Sequence, residues 1–204
     1  MKVAVIDYGL GNLGSVRRAI AELGAEPVLA DRPAQLAAAD RVILPGVGSF
    51  TDGMSLLHER GWVGALREEA KQGKPVLGIC LGMQLLASRG TEGGDTEGLD
   101  LIPGEVVGLE ALGCELRIPH VGWNSLAVRD ESCAILRGIP GGTDFYFVHS
   151  FVFQPRDAAD VVASTAYGVP VTAVVGRGNV MGTQFHPEKS SKAGFRVLRN
   201  FLEC

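Results

Sequence analysis

The chain has 204 residues, of which 46% are hydrophobic and 21% charged, with a formal net charge of −4. These values exclude predominant disorder and, at about 150 residues per domain, predict a single domain over residues 1–204. No run of Lys and Arg forms a basic stripe, which argues against a nucleic-acid partner bound through its phosphates.

Residues 2–7 (KVAVID) predict a buried strand. Leu13, Val16, Ile20 and Leu23 then repeat at helical spacing, with Gly24 where a helix-stopping glycine belongs. Residues 27–30 and 41–44 predict further strands. One helical stretch, interrupted at Gly61 and Gly64, is expected to run through Leu66 and Ala70 to a stop at Gly73. Residues 75–79 (PVLGI) predict a buried strand, followed by a helix through Leu81, Gln84, Leu85 and Ser88. Strand and helix alternating in this way imply parallel pairing with right-handed crossovers. After residue 100 the pattern turns to strands. Residues 143–153 are aromatic and β-branched, and 171–175 pair with 179–185 across Gly176-Arg177-Gly178. A closing helix carries Phe195, Leu198 and Phe201 or Leu202 on one face. The expected fold class is α/β: a mostly parallel central sheet flanked by helices, with a β-rich C-terminal half.

The longest stretch free of Asp, Glu, Lys and Arg, residues 161–176, is shorter than the roughly 20 a membrane-spanning helix needs. Asp7 breaks the apolar start MKVAVIDYG, so no signal peptide is expected. Cys80, Cys114, Cys133 and Cys204 form no C-x-x-C pair, which predicts neither a zinc site nor a disulfide framework and points to the cytoplasm.

Three motifs compete for the chemistry. Gly9-Leu10-Gly11-Asn12-Leu13-Gly14 is a G-x-G-x-x-G between a strand and a helix, with Asp31 ending the next strand. That is the context of a dinucleotide fingerprint, and equally of a tight turn whose glycines serve geometry alone. Gly78-Ile79-Cys80-Leu81-Gly82 has the form of a nucleophile elbow with cysteine as nucleophile. Amide N–H groups at the following helix start would favour thiolate and an oxyanion. His186-Pro187-Glu188 supplies a base and a carboxylate, which in an extended segment would point to one side and form a triad with Cys80. His58 sits in a solvated helical stretch, and His120 and His149 read as satisfied core or edge histidines. With four histidines and no repeated Cys/His spacing, no metal site is expected.

Residues 78–84 (GICLGMQ), 45–50 (PGVGSF) and 184–190 (QFHPEKS) together resemble the class I glutamine amidotransferases. Residues 6–16 (IDYGLGNLGSV), 119–124 (PHVGWN) and 145–150 (FYFVHS) narrow the resemblance to the glutaminase subunits of imidazole glycerol phosphate synthase, in histidine biosynthesis. The likeness spans residues 3–190 in order. Phe151 stands where a tyrosine is common, and Val121 where methionine is frequent.

This resemblance implies the class I amidotransferase fold and an IDYGLGN turn that belongs to the scaffold, with no dinucleotide and no cofactor. It implies a Cys80, His186, Glu188 triad that releases ammonia from L-glutamine through a thioester. The oxyanion donors would be the backbone N–H of Leu81 and that of Val47 or Gly48. Gly48, Gln84, Glu92 and the backbone at Ser150 would hold the amino-acid end of glutamine. Because ammonia released into water becomes non-nucleophilic ammonium, and the chain shows no second catalytic domain, the acceptor site is expected on another polypeptide. The family's partner is a (β/α)8-barrel cyclase, joined as a heterodimer, and Asn12, Trp123 and Lys189 resemble its contact residues. A different cysteine hydrolase on a similar elbow fold, or a dinucleotide-binding module, are the alternative readings.

Overall fold

Four strands set up the parallel part of the fold, all but the half-buried edge strand β2 rich in buried β-branched and aliphatic residues: β1 (Lys2–Ile6), β2 (Glu26–Ala30), β3 (Arg41–Gly46) and β4 (Val76–Cys80). The computed structural model describes residues 1–204. Helices α1 (Leu13–Glu22), α2 (Phe50–Glu59) and α3 (Trp62–Lys71) make the crossovers, and α4 (Leu81–Gln84) follows β4 directly. The short strands β5 (Arg89–Gly90), β6 (Thr96–Glu97) and β7 (Gly104–Gly108) come next. They are followed by β8 (His120–Ser125), β9 (Ala127–Val128), β10 (Asp144–His149), β11 (Phe151–Pro155), β12 (Val161–Tyr167), β13 (Val169–Arg177) and β14 (Val180–Thr183). Helix α5 (Ser191–Leu202) closes the chain.

The main sheet has eight strands in the order β2-β1-β3-β4-β14-β13-β12-β9. Its first five are parallel, with β14 beside β4 in the register Val180↔Val76; β13, β12 and β9 add on antiparallel. This arrangement brings the ends of β4 and β14 side by side, although about a hundred residues separate them. Both faces of the sheet are covered, so alternate residues of β1 enter different cores. Ala4 and Ile6 pack with Trp62, Leu57 and Leu66 of α2 and α3, and Val3 and Val5 with Val16, Ile20, Leu198 and Phe201 of α1 and α5. A two-stranded β10-β8 ribbon and a four-stranded β11-β7-β5-β6 sheet lie outside it. No helix is long and apolar enough to cross a membrane.

Several expectations need correction. Residues 50–71 form two helices, parted at Arg60-Gly61, where Gly61 takes a left-handed φ of +73°; Gly64 sits inside α3. Residues 143–153 are two strands in different sheets, with Ser150 at the corner between them. Helix α4 stops after Gln84 and does not reach Ser88. The amides of Leu86 and Ala87 bond only three residues back, to Met83 and Gln84, and the Ser88 amide donates to the Gly104 carbonyl. The carbonyls of Leu85, Leu86 and Ala87 accept from the amides of residues 99–102, so later chain takes up the backbone groups that would extend the helix. In α5, Phe195 is only half-buried, while Val197 and Asn200 join the buried face.

Candidate active site

Cys80 ends β4 with φ +55° and ψ −113°, a conformation that costs a non-glycine residue roughly 1–3 kcal/mol. Close packing on both sides imposes it. A Cβ on Gly82 would lie 1.8 Å from the Leu44 carbonyl oxygen, and one on Gly78 would lie 2.5 Å from that of Gly82. The glycines of G-x-C-x-G are therefore required by backbone approach, and the turn they permit directs the Cys80 side chain off the end of the sheet.

His186 follows β14 at the neighbouring position. Residues 187–189 form a 3₁₀ turn, so His186 and Glu188 meet across a turn and not along an extended strand. Nδ1 of His186 lies 2.8 Å from Glu188 Oε1, and both side chains are almost inaccessible, at 2% and 1% exposure. Nε2 has no well-aligned hydrogen-bond partner, and Cys80 is close enough to act on the ring. Burial by itself would push the imidazole down; hydrogen bonding and charge from Cys80 and Glu188 outweigh it and lift it from 6.5 to about 9. With α4 a single turn long, its dipole is a small contribution. The buried His186 ring is the larger of the two influences beside the sulfur.

Sequence reasoning missed two residues that hold these two, and a third beside them. Gln184 is fully buried and donates from Nε2 to Cys80 Sγ at 3.8 Å; its spacing of two from His186 was the available signal. Ser190 Oγ donates to the His186 carbonyl at 2.7 Å and accepts from the Tyr146 amide at 3.0 Å, pinning the turn to β10. Tyr8, wholly buried, has a hydroxyl with no hydrogen-bond partner, and burial followed by the charge at Cys80 raises its pKa.

Cys80 and His186 line a cavity of ≈ 330 Å³ together with Val47, Gly48, Leu81, Gln84, Glu92, Val148, His149, Ser150 and Phe151. That size is at the small end of ligand pockets, about 300–1,000 Å³. Of the residues expected to act on or bind substrate, all but Glu188, which is buried against His186 Nδ1, share this one cavity. Gly48 has φ +112°. Gln84 uses Nε2 to donate to the Phe151 carbonyl and to Gln184 Oε1, each at 3.0 Å. Glu92 accepts the Phe50 amide at 2.8 Å on one oxygen, capping α2. Burial raises its pKa, opposed by that hydrogen bond. Cys80 Sγ also lies 3.8 Å from the Val148 carbonyl.

The remaining expected residues lie elsewhere. Trp123 is 54% exposed on β8 and packs edge-on against Tyr146, with ring centroids 6.1 Å apart, so core packing does not account for it. Lys189 is exposed and Asn12 half-buried at the start of α1. In the glycine-rich turn before α1, the Pro45 side chain packs 3.5 Å from a Cβ position on Gly11. His58 is exposed near the end of α2.

Residues 4–204 match the family model described as glutamine amidotransferase class-I. The imidazole glycerol phosphate synthase subunit HisH of Moorella thermoacetica is 51% identical over 98% of this chain and 94% of its own length. The HisH subunit of Desulfitobacterium hafniense (strain DSM 10664 / DCB-2) is 48% identical over 98% and 92%. Two solved structures from Thermotoga maritima share the fold: PurLQS, with a TM-score of 0.76 at 21% identity covering 99% of this chain and 97% of that one, and a glutamine amidotransferase, with a TM-score of 0.74 at 17% identity covering 100% and 96%. The chain belongs to the class I glutamine amidotransferase family, within the group of imidazole glycerol phosphate synthase HisH subunits.

Proposed function

We propose that the chain is the glutaminase subunit of an imidazole glycerol phosphate synthase and that its chemistry runs through Cys80, His186 and Glu188. The observation that carries this reading is the pairing of a strained elbow cysteine with a buried imidazole whose one nitrogen is held by Glu188 and whose other is unpartnered, in one small cavity. Cys80 Sγ attacks the side-chain amide carbon of glutamine, and the thiol proton passes to His186 Nε2. The oxyanion is held by the Leu81 N–H and an N–H of Val47 or Gly48; losing one such donor costs about 10²–10³ in rate. As the C–N bond breaks, His186 returns the proton to the leaving ammonia and a γ-glutamyl thioester remains. His186 then takes a proton from water, which attacks the thioester, and glutamate leaves as the thiol is restored. Glu188 keeps Nδ1 protonated throughout, so that Nε2 faces the sulfur as the working nitrogen.

Gly48, Gln84, Glu92 and Ser150 are placed around the amino-acid end of the substrate, the unengaged oxygen of Glu92 suiting an α-ammonium. Ammonia passes to a cyclase subunit, a (β/α)8 barrel docked at the face carrying Asn12, Trp123 and Lys189; an exposed tryptophan is a frequent interface anchor. The test is glutamate and ammonia release from L-glutamine by the chain with its cyclase subunit, against hydrolysis of peptide substrates. Equimolar glutamate and ammonia, with peptides untouched, is the expected result. Peptide cleavage without glutaminase activity would favour the general cysteine-hydrolase reading.

A further inference from the structure

Of the four histidines, one is the base and His58 is exposed. The other two, His120 and His149, are directly opposed in the β8–β10 ladder and almost completely buried. His120 Nδ1 lies 2.9 Å from His149 Nε2. The outer nitrogens are also engaged: His149 Nδ1 lies 3.0 Å from the Phe151 carbonyl, and His120 Nε2 lies 3.3 Å from Asn124 Nδ2. The Asn124 amide also donates to the Ala166 carbonyl at 2.8 Å.

Only one placement of protons satisfies this row. A carbonyl can only accept, so His149 carries its proton on Nδ1 and accepts at Nε2. His120 must then donate from Nδ1 and accept the Asn124 amide at Nε2. Both rings are neutral in this state. Burial lowers each to about 4, His149 being lowered further by His120 and His186 and opposed by its bond to Phe151. His120 is sandwiched between Phe147 and Tyr167, with centroids 5.0 and 4.0 Å away. Phenylalanine or leucine would be cheaper to bury in such a slot, because burying a polar ring is unfavourable unless its nitrogens are bonded. The row continues past Phe151. Its carbonyl also accepts from Gln84, Gln84 donates to Gln184, and Gln184 donates to Cys80 Sγ. A connected line of polar contacts therefore runs from Asn124, beside the exposed Trp123, to the nucleophile.

We infer that His120 and His149 are positioning residues for the glutamine cavity. Their locked tautomers fix the corner of residues 148–151 that walls the cavity and, through the Phe151 carbonyl, aim Gln84. This rests on the glutaminase reading above. The corner binds ground state and transition state alike, so loosening it acts on KM more than on kcat.

Two readouts test the inference on the full chain with its cyclase subunit. ¹⁵N NMR of histidine-labelled protein should show both rings in the Nδ1–H form, opposite to the form that dominates free histidine in water. His120→Phe keeps the stack and removes the donor. It should raise KM for glutamine about 5- to 20-fold, the effect of one lost buried hydrogen bond, with kcat within about 3-fold. His120→Asn, whose Nδ2 takes the place of Nδ1, should recover most of the loss. If His120→Phe does not fold, His149→Asn serves in its place: it keeps the bond to Phe151, breaks the one to His120, and should raise KM to a smaller extent. An Nε2–H form at either ring, or an unchanged KM in a folded variant, overturns the inference. Absence of glutaminase activity in the wild-type complex would instead overturn the glutaminase reading beneath it.

Discussion

The ends of β4 and β14 are neighbours in one sheet, yet they hold Cys80 and His186, the proposed nucleophile and base, by opposite means. At the end of β4 the backbone does the positioning. Cys80 sits at φ +55° because Gly78 and Gly82 allow main chain to approach main chain, and the neighbouring turns leave it no alternative. At the end of β14 the backbone is ordinary, with His186 at φ −93°, and side chains do the positioning: Glu188 on Nδ1, and Ser190 on the carbonyl. A nucleophile fixed by packing cannot be adjusted without disturbing the fold. A base fixed by hydrogen bonds can be detuned one bond at a time.

Gly82→Ala should therefore have the largest effect. Its Cβ would fall 1.8 Å from the Leu44 carbonyl oxygen, so β3 and α4 must separate, and a loss of about 3 kcal/mol or more is expected. Chemical denaturation would show it as a large drop in midpoint; a variant of wild-type stability would mean that the elbow is not held by backbone approach. On the other side of the comparison, Glu188→Gln should fold and lower kcat by about 10²–10⁴, because an amide cannot stabilise the imidazolium and can select the wrong tautomer. Steady-state glutaminase assays with partner present check this, and near-normal turnover would reduce the triad to a pair. Ser190→Ala is smaller again. It frees the His186 carbonyl and the Tyr146 amide, for about 1–3 kcal/mol of stability and a loss in kcat of about tenfold or less.

How much of this was legible beforehand depended on distance along the chain. The elbow could be read because its glycines and cysteine all fall within residues 78–82, and His186 with Glu188 because they are two residues apart. Gln184 and Ser190 lie inside the same short motif. Their roles stayed hidden because their partners, Cys80 for one and Tyr146 for the other, come from other strands. The excess length expected of α4 has the same cause, since the Gly104 carbonyl that takes the Ser88 amide, and the amides of residues 99–102 that take the next carbonyls, come from later in the chain. Their strand-like segments suggested core or edge histidines at 120 and 149, but only the β8–β10 register brings them face to face.

His186, at the end of β14, and the buried His120–His149 pair on β8 and β10 respond oppositely to pH. His186 is raised to about 9 in the folded chain against an ordinary 6.5, so its contribution to stability is complete below about 6.5 and disappears as pH rises through 9. His120 and His149 are lowered to about 4; their contribution is complete above about 6.5 and disappears as pH falls toward 4. Melting temperatures recorded from pH 4 to 10 should flatten on the alkaline side in His186→Gln and on the acid side in His120→Asn. A parallel shift of the whole curve in either variant would contradict the assignment.

The central claim is that the site singles out one cysteine. A glutamine analogue carrying a diazo-ketone should alkylate Cys80 alone, because Cys80 has an imidazolium beside it. Burial raises the thiols of Cys133 and Cys204, and Cys114 is buried with Sγ against the Tyr167 carbonyl. Peptide mass mapping after labelling, with and without excess L-glutamine, reads the outcome directly. The account predicts one adduct, at Cys80, suppressed by glutamine; label spread over the other three cysteines, or unaffected by glutamine, would contradict it.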